Sequence, residues 1–405
     1  MVVALFFAWG ASLGAQVARE TLSLPIALPN RTSVVVELER RDVFVRGSQI
    51  QIMTPSGAEY VDPSTVKVFR GTLPNEPKSY VVASVTRSGL VGSVSTGAQV
   101  FDMQRGPLPS SPLKITANVA PSTTCGVSDL NVAPHVMQMM REKPIELAQD
   151  ADTLELQLAI EADYQFFTNN QGNRQHALAY IAQVVGVTSA IYERDFRVRL
   201  VASNVRLWED AEDPYPEDVM LTTLLNVFVQ QYEGTMHNVQ RDIGVYLTRR
   251  DGLGGIAKSI GGVCEKGVSY CAADLAGDVA ITNAFSWDQI VLAHELGHVC
   301  GAVHTQNCFW PGGPLDSCVQ SEGGICVEFE QTRAIFGTIM SYCHQRQHVG
   351  GGMIPEFHAR HQHVVRAYLE RAACVGARAA VTKNVLRGRF INARDGSAIA
   401  GASLT

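Results

Sequence analysis

The pattern of apolar and polar positions divides the chain into a strand-rich N-terminal part and a C-terminal part that mixes strands with helices. Between residues 32 and 103, short β-branched runs alternate with turn residues. The runs lie at 33–38, 42–46, 65–69 and 79–85. This alternation predicts a small antiparallel β domain at the start of the chain.

In the C-terminal part, helical spacing of apolar residues appears between the strand-like runs. Strands are predicted at 155–162, 197–206 and 242–248, with helices at 173–192 and 217–232. Near the end, Pro355 marks a helix start, and apolar or aromatic positions follow at three- and four-residue steps, namely Phe357, His361, Val364 and Tyr368. The mixture predicts an α+β domain with a twisted mixed sheet and a closing helix.

The strongest chemical signal is a group of histidines in a further predicted helix. His294 and His298 are four residues apart, so both imidazoles share one helical face and can bind the same metal ion. Gly301 permits the left-handed turn that would return His304 as a third ligand. Three protein ligands and one open position are typical of a catalytic zinc site, and Glu295 beside the first ligand is a candidate general base.

These residues form the pattern HExxHxxGxxH, which resembles the metzincin zinc endopeptidases. Residues 337–342, Gly-Thr-Ile-Met-Ser-Tyr, resemble the methionine turn of that clan, and Met340 lies 36 residues after His304. The resemblance implies that Met340 supports the metal site. Tyr342 is similar to the tyrosine that astacins and serralysins use as an extra zinc ligand or transition-state donor; the alternative is a buried or rim tyrosine without that role.

Several further segments resemble the reprolysin or adamalysin branch, which includes the ADAM-like enzymes. They lie at 156–164, 190–192, 196–201 and 254–264, together with Trp208, and the likeness covers residues 154–376. It implies a metzincin-type catalytic domain with one catalytic Zn²⁺. One departure is Thr305, at the position where reprolysins usually carry Asp after the third histidine. A calcium requirement cannot be read from the sequence.

A single cysteine precedes this domain. Cys125 lies in residues 121–129, Pro-Ser-Thr-Thr-Cys-Gly-Val-Ser-Asp, which is similar to the cysteine-switch segment of matrix metalloproteinases. The resemblance implies a latency switch in which the thiolate is a fourth zinc ligand. The alternative is a linker cysteine that is unpaired or bridged elsewhere. Residues 69–92 also resemble the reprolysin prodomain, whose strands sit over the active-site cleft.

The other eight cysteines lie between 264 and 374, and their even number predicts four disulfides of undetermined connectivity. The candidates are Cys264, Cys271, Cys300, Cys308, Cys318, Cys326, Cys343 and Cys374. Five histidines near the end, at 344, 348, 358, 361 and 363, could suggest a second metal site, but solvated side chains are the favoured interpretation.

The sequence also predicts the domain boundaries, including those at the two ends of the chain. Residues 1–18 read as a signal peptide without basic residues, with an uncleaved anchor or a buried strand as alternatives. We then expect a β-rich propeptide at 19–120, a cysteine-switch linker at 121–153 and the catalytic domain at 154–376. Residues 377–405 resemble the start of a β-sandwich module, or form a disordered tail. Export agrees with the predicted disulfides.

Composition limits the partners. The net charge of −6 provides no basic patch for nucleic acid, and no segment after the signal peptide approaches the roughly 18 apolar residues that a membrane span needs. The sequence predicts a secreted zinc endopeptidase made as a latent zymogen, activated by another protease or by self-cleavage. Peptide substrates are expected to add a strand along Gly255, Ile256 and Ala257.

Two other functions remain open at this point. One is a gluzincin-type peptidase, in which a downstream carboxylate such as Glu322 or Glu328 replaces His304 as third ligand. The other is a secreted adhesion or binding module that holds zinc for stability alone.

Overall fold

The secondary structure comprises sixteen strands and six α-helices within the part of the chain that the computed structural model describes. The described residues are 20–29, 31, 33–97, 99–108, 110–117, 125–126, 132–142, 152–250, 252–275, 287–327, 335–345 and 352–375. The predicted signal peptide at 1–18, the C-terminal tail from 377, His348 and Glu328 lie outside them.

The strands, in chain order, are β1 (Thr21–Ile26), β2 (Val34–Arg41), β3 (Phe44–Thr54), β4 (Gly57–Val61), β5 (Lys67–Gly71), β6 (Tyr80–Thr86), β7 (Gly89–Ser95), β8 (Val100–Arg105), β9 (Lys114–Ala117), β10 (Leu154–Ala162), β11 (Val198–Trp208), β12 (Ile243–Thr248), β13 (Gly255–Ala257), β14 (Tyr270–Asp274), β15 (Phe336–Gly337) and β16 (Gly352–Met353). The helices are α1 (Pro134–Arg141), α2 (Tyr164–Asn169), α3 (Arg174–Phe196), α4 (Leu221–Glu233), α5 (Trp287–Val299) and α6 (Ala359–Arg371).

An antiparallel sheet forms most of the N-terminal part, in the order β1-β2-β5-β6-β7-β8-β9. Its strands alternate in burial, so that Leu24 and Ile26 of β1 and Val36 and Leu38 of β2 enter one core while their neighbours are more exposed. Period-two alternation is the pattern of a half-buried strand. The predicted antiparallel β region is therefore confirmed.

A mixed sheet forms the centre of the C-terminal part, in the order β13-β14-β12-β10-β11-β3-β4. Strands β14, β12, β10 and β11 run parallel to one another, and β13 is antiparallel at one edge. Helices α3 and α5 pack on this sheet, which gives the α+β fold that the sequence predicts. Strands β10, β11 and β12 and helices α3 and α4 match the predicted elements to within a few residues.

The opposite edge of the mixed sheet differs from the prediction. Strands β3 and β4 come from the N-terminal part, yet β3 pairs in parallel with β11 and β4 extends the sheet beyond it. Residues 49–53 of β3 alternate in burial, with Ile50 and Ile52 fully buried. Alternation predicts a strand but does not say which sheet it joins, because the pairing partner is a tertiary choice.

The antiparallel sheet is also placed differently from what the prodomain resemblance implies. It packs against α3 rather than over the active-site cleft: a Cβ on Gly186 would lie 3.0 Å from Val82 and 3.2 Å from Val68. Gln183 of α3 donates to Ser93 at 2.7 Å, and Tyr80 donates to Gln289 of α5 at 2.9 Å. A helix without a side chain at position 186 lets the sheet approach closely, which a resemblance in sequence does not reveal.

Three disulfides form, not the four predicted. They join Cys264 to Cys374, Cys308 to Cys326 and Cys318 to Cys343. Cys271 on β14 and Cys300 after α5 are buried thiols in the apolar core. An even count cannot distinguish a bridge from two core residues, because a buried thiol packs as a small hydrophobic group.

The closing helix begins at Ala359, four residues after Pro355, and the side chain of His358 caps it by accepting from the backbone N–H of Arg360 at 3.2 Å. The fold also contains α1, which sequence reasoning did not predict. Among the described helices, none combines the length and the apolar character needed to cross a bilayer.

Candidate metal centre

Three imidazoles converge at the C-terminal half of α5. His294 and His298 project from successive turns of the helix, the chain turns at Gly301 with φ of +93°, and His304 returns to the same point. The Nε2 atoms lie 3.1 Å apart for His294 and His298, 3.1 Å for His298 and His304, and 3.2 Å for His294 and His304. The structure thus brings together all three predicted ligands.

The other ring nitrogen of each histidine is held by an acceptor. Nδ1 of His294 donates to the Ile339 carbonyl at 2.7 Å, and Nδ1 of His298 donates to the Ala302 carbonyl at 2.7 Å. Nδ1 of His304 lies 2.9 Å from a carboxylate oxygen of Glu322. Because these partners only accept, each neutral ring carries its hydrogen on Nδ1 and turns an Nε2 lone pair towards the centre.

This donor set fits a zinc ion. Tetrahedral zinc binds histidine nitrogen at about 2.0–2.1 Å, which spaces its nitrogens about 3.3 Å apart, close to the spacing of the three Nε2 atoms. Three lone pairs facing one another repel unless a cation lies between them. Burial, followed by repulsion from His298 and His304, holds the pKa of His294 well below its usual range, so the ring stays neutral, as a metal ligand must be.

Glu295 lies beside the centre and against the edge strand. A Cβ on Gly255 of β13 would fall 2.3 Å from Oε1 of Glu295, so only glycine leaves room for this carboxylate. Oε2 accepts from the Cys125 thiol at 3.4 Å, while Oε1 has no hydrogen-bond partner among the described residues. Burial raises the pKa of Glu295 to about 8. A buried carboxylate with an unsatisfied oxygen indicates a site that receives another polar group.

The methionine turn lies beneath the histidines. Met340 is fully buried, and a Cβ on Gly297, between the two helical histidines, would lie 2.9 Å from its sulfur. The Met340 carbonyl accepts from the backbone N–H of Thr305 at 3.0 Å and from its hydroxyl at 3.3 Å. Thr305, at the position where Asp is usual, thus ties the turn to the segment carrying His304.

Tyr342 reaches the centre as well. Its hydroxyl oxygen is 3.0 Å from Nε2 of His304 and 3.3 Å from the carbonyl oxygen of Cys125. The side chain is half-buried. This position allows a hydrogen bond at the metal centre, which a tyrosine that only lined the rim would not make.

Cys125 completes the group. Its sulfur and the three histidine nitrogens all lie within 4.8 Å of one another. The backbone of this segment pairs with the edge strand: Cys125 bridges to Gly255 in parallel, and the N–H of Gly126 donates to the Gly255 carbonyl at 2.8 Å. Residues 125–126 therefore lie along β13, where the sequence predicts the substrate strand at Gly255, Ile256 and Ala257.

The carboxylate of Glu322 contacts His304, whereas the alternative gluzincin interpretation made it a metal ligand in place of His304. It lies behind His304, on Nδ1, and its second oxygen accepts from Gln306 at 2.8 Å. A side chain in this place cannot be the third ligand of a gluzincin site, since Nδ1 and Nε2 point to opposite sides of the ring. The sequence signals only that a carboxylate follows His304; which side of the ring it meets depends on the loop closed by Cys308–Cys326.

Three of the five late histidines are not solvated as predicted, while His358 is half-buried and His348 lies outside the described residues. His344, His361 and His363 are buried. Nε2 of His361 donates to the Val303 carbonyl at 2.7 Å, so the histidine-rich helix packs beneath the metal centre. A polar helix face in sequence can still be buried when its polar atoms find partners. A second group of potential ligands, Asp316, Cys318 and Cys343, contains a disulfide instead.

Comparison with known proteins agrees with this geometry. Residues 152–350 match the Reprolysin_5 model, described as metallo-peptidase family M12. A segment of 154 residues, 37% of the chain, is 27% identical to the disintegrin and metalloproteinase domain-containing protein unc-71 of Caenorhabditis elegans, of which it covers 14%. This part of the chain is therefore similar to the reprolysin-like metzincins of family M12, a family of metallopeptidases.

Two solved structures share weaker likeness. Metalloproteinase-II from Bacteroides fragilis is 12% identical with a TM-score of 0.38, over 69% of this chain and 80% of that one. A chaperone-substrate complex is 18% identical with a TM-score of 0.28, over 40% of this chain and 26% of that one. The chain spans only a small part of the curated relative.

Proposed function

We propose that the protein is a zinc-dependent endopeptidase made as a latent precursor, with Glu295 as its general base. The observation that supports this most is the convergence of three Nε2 lone pairs next to a buried carboxylate and a sheet edge. A zinc ion that only stabilised the fold would need no peptide-binding strand edge beside it. Here Glu295, the three histidines and strand β13 lie next to one another.

The residues have distinct parts in the proposed reaction. Zinc, held by His294, His298 and His304, would supply a Lewis acid that lowers the pKa of water towards 7 and polarises the scissile carbonyl. Glu295 accepts the proton of the attacking water and passes it to the leaving amine. Tyr342 donates a hydrogen bond to the oxygen on which negative charge develops.

Substrate binding follows from the edge strand. Strand β13 is at the end of the mixed sheet, and the Gly255 carbonyl already accepts a backbone hydrogen bond from Gly126. An extended peptide in place of this segment makes the same kind of hydrogen bonds at Gly255, Ile256 and Ala257. Backbone contacts tolerate many side chains, which is consistent with cleavage inside protein substrates.

Latency is explained by the same contacts. The sulfur of Cys125 lies within 4.8 Å of the three histidine nitrogens, its thiol donates to Glu295, and its backbone bridges to Gly255 of the edge strand. As a thiolate it would be a fourth zinc ligand and exclude water. We infer that residues 19–120 and 121–153 act as propeptide and switch linker, and that cleavage in the linker starts activation.

Secretion is the proposed location. Three disulfides and the likeness to an ADAM-family protein are consistent with an oxidising, extracellular environment. Protein substrates then lie outside the cell. A signal peptide at residues 1–18 remains the proposed route of export.

Glu295→Gln tests the proposal directly. The amide keeps the shape of the side chain but cannot take a proton, so we expect unchanged zinc content and a loss of peptide cleavage of at least about 100-fold. The measurement is metal analysis together with cleavage of a peptide library by the processed enzyme. Full cleavage activity in this variant would contradict the role of Glu295. Bound zinc without cleavage in the parent would favour a binding module.

A further inference from the structure

The N-terminal part completes the catalytic sheet at the edge opposite the metal centre. Strand β3 pairs with β11 from Ala202↔Phe44 to Trp208↔Met53. Backbone hydrogen bonds close both ends of this pairing, from Ala202 N–H to the Val43 carbonyl at 2.7 Å and from Glu209 N–H to the Met53 carbonyl at 2.9 Å. A parallel strand in this place is an integral part of the sheet.

The apolar contacts across this boundary are continuous. Val43, Ile50, Val68 and Val82 belong to the same buried core as the strands and helices that carry the metal centre. At the middle of α3, Gly186 lies under three valine methyl groups, since its Cβ would meet Val82 at 3.0 Å, Val68 at 3.2 Å and Val43 at 3.7 Å. The sheet and α3 are thus in close van der Waals contact at Gly186.

Polar contacts fix the same boundary. Arg70 of β5 donates to both carboxylate oxygens of Glu193 on α3, at 2.8 and 2.7 Å. Tyr80 of β6 donates to Gln289 at 2.9 Å, on the helix that carries His294. A bidentate arginine pair and a buried hydrogen bond are directional, so they select one orientation of the two parts.

We propose that residues 20–117 stay bound to the peptidase body, residues 152–375, after the linker between them is cut, as a non-covalent subunit. This rests on the proposed zymogen processing. Every contact above lies outside the linker, so its cleavage removes none of them. Loss of residues 20–117 would leave the edge of β11 unpaired and uncover the apolar surface around Gly186, both of which are costly in water. Activation then requires only the withdrawal of Cys125 from the metal centre.

The test uses the full chain with a recognition sequence for a site-specific protease inserted after Ala120, so that the N-terminal fragment carries none of the contacts that residues 125–142 make with the edge strand and α6. After complete cutting, size-exclusion chromatography at micromolar concentration is expected to show both fragments in one peak. Separation of the fragments as soon as the linker is cut would overturn the proposal.

A wedge variant tests the surface itself. Gly186→Leu places a side chain where the valine methyls lie, so the cut fragments should dissociate at least about tenfold faster, with Gly186→Ala in between. Val82→Ala in the same chain makes room and should restore slow dissociation. The uncut Gly186→Leu chain should keep the zinc content of the parent, which shows that its peptidase body still folds. An unchanged dissociation rate for Gly186→Leu would overturn the proposed surface.

The two proposals fail in different ways. Co-elution of the fragments without peptidase activity, even with zinc bound and Cys125 replaced, refutes the proposed peptidase function and supports the retained subunit. Separation of the fragments with full activity overturns the retained subunit and supports the peptidase function.

Discussion

At the scale of single residues, the metal centre depends on which atom of each histidine is left available. The hydrogen on Nδ1 is fixed by the Ile339 carbonyl for His294, the Ala302 carbonyl for His298 and the Glu322 carboxylate for His304. Two of these partners are backbone groups and cannot be removed by substitution. The third partner, Glu322, is a side chain. Its substitution therefore measures how much this hydrogen bond contributes to zinc affinity.

Glu322→Gln should weaken zinc binding by about 10- to 100-fold, the usual effect of losing a partner of a metal ligand. The carboxylate of Glu322 orients His304 and makes its ring more basic. The amide lacks the negative charge that does this. Chelator competition on the unprocessed protein gives the affinity without any assay of activity. Glu356→Gln is a matched control, since that carboxylate pairs with the exposed Lys78 at 3.6 Å. Equal zinc affinity in both variants would contradict a positioning role for Glu322.

Cys125→Ala should give a precursor that cleaves peptides before any processing, because the proposed fourth ligand and the thiol contact to Glu295 are both lost. Peptide cleavage by the uncut, zinc-loaded chain measures this. Cys271→Ala is the control, since it removes a buried thiol that the proposed switch does not use. A Cys125→Ala precursor as inactive as the parent would indicate that the segment blocks the cleft by its bulk alone.

At the scale of elements, the active-site geometry results from a helix and an edge strand in close contact. Strand β13 approaches α5 so closely that Gly255 lies against the carboxylate of Glu295. The zinc helix is buried along its whole length, from Trp287 to Val299. Two rigid elements hold a catalytic side chain more precisely than a loop does.

Gly255→Ala should therefore lower peptide cleavage by at least about tenfold, because its methyl group would displace Glu295 or the edge strand. Zinc content should stay unchanged, since the three atoms nearest to the added methyl group all belong to Glu295 and none to a histidine. Gly106→Ala adds the same group in the N-terminal part, where it meets only the side chain of Ser111 at 3.0 Å, and serves as control. Normal cleavage by Gly255→Ala would show that the edge strand can move without cost.

At the scale of the whole molecule, disulfides join distant parts of the chain. Cys264, next to the edge-strand region, is bonded to Cys374 after α6, 110 residues later. Cys308 and Cys326 close a loop of only 18 residues. The chain-entropy argument gives the longer loop the larger effect on the unfolded state.

Replacing both Cys264 and Cys374 by serine should lower the free energy of unfolding by about 2–5 kcal/mol. Urea unfolding of the zinc-free protein measures it. The Cys308→Ser and Cys326→Ser pair should cost less in global stability but weaken zinc binding, since its loop carries Glu322. A smaller loss for the Cys264–Cys374 pair than for the Cys308–Cys326 pair would contradict the loop-length argument.

The sequence by itself determined the features that depend on local spacing. A four-residue step places His294 and His298 on one helix face, a glycine returns His304, and alternating runs specify strands, because helix and strand geometry are fixed by the backbone. The α+β fold followed from such patterns, and the resemblance to reprolysins followed from the motifs around the histidines. Cys125 was singled out by a short motif and lies beside the three histidines, while its role as a latency switch stays a prediction.

Only the tertiary structure decided which segments meet. It assigned β3 to the catalytic sheet, left Cys271 and Cys300 as core thiols, buried His344, His361 and His363, and placed Glu322 behind His304. These outcomes depend on contacts between residues far apart in the chain. A strand, a thiol or a carboxylate has several suitable partners by local chemistry, and the packing of the whole molecule selects one.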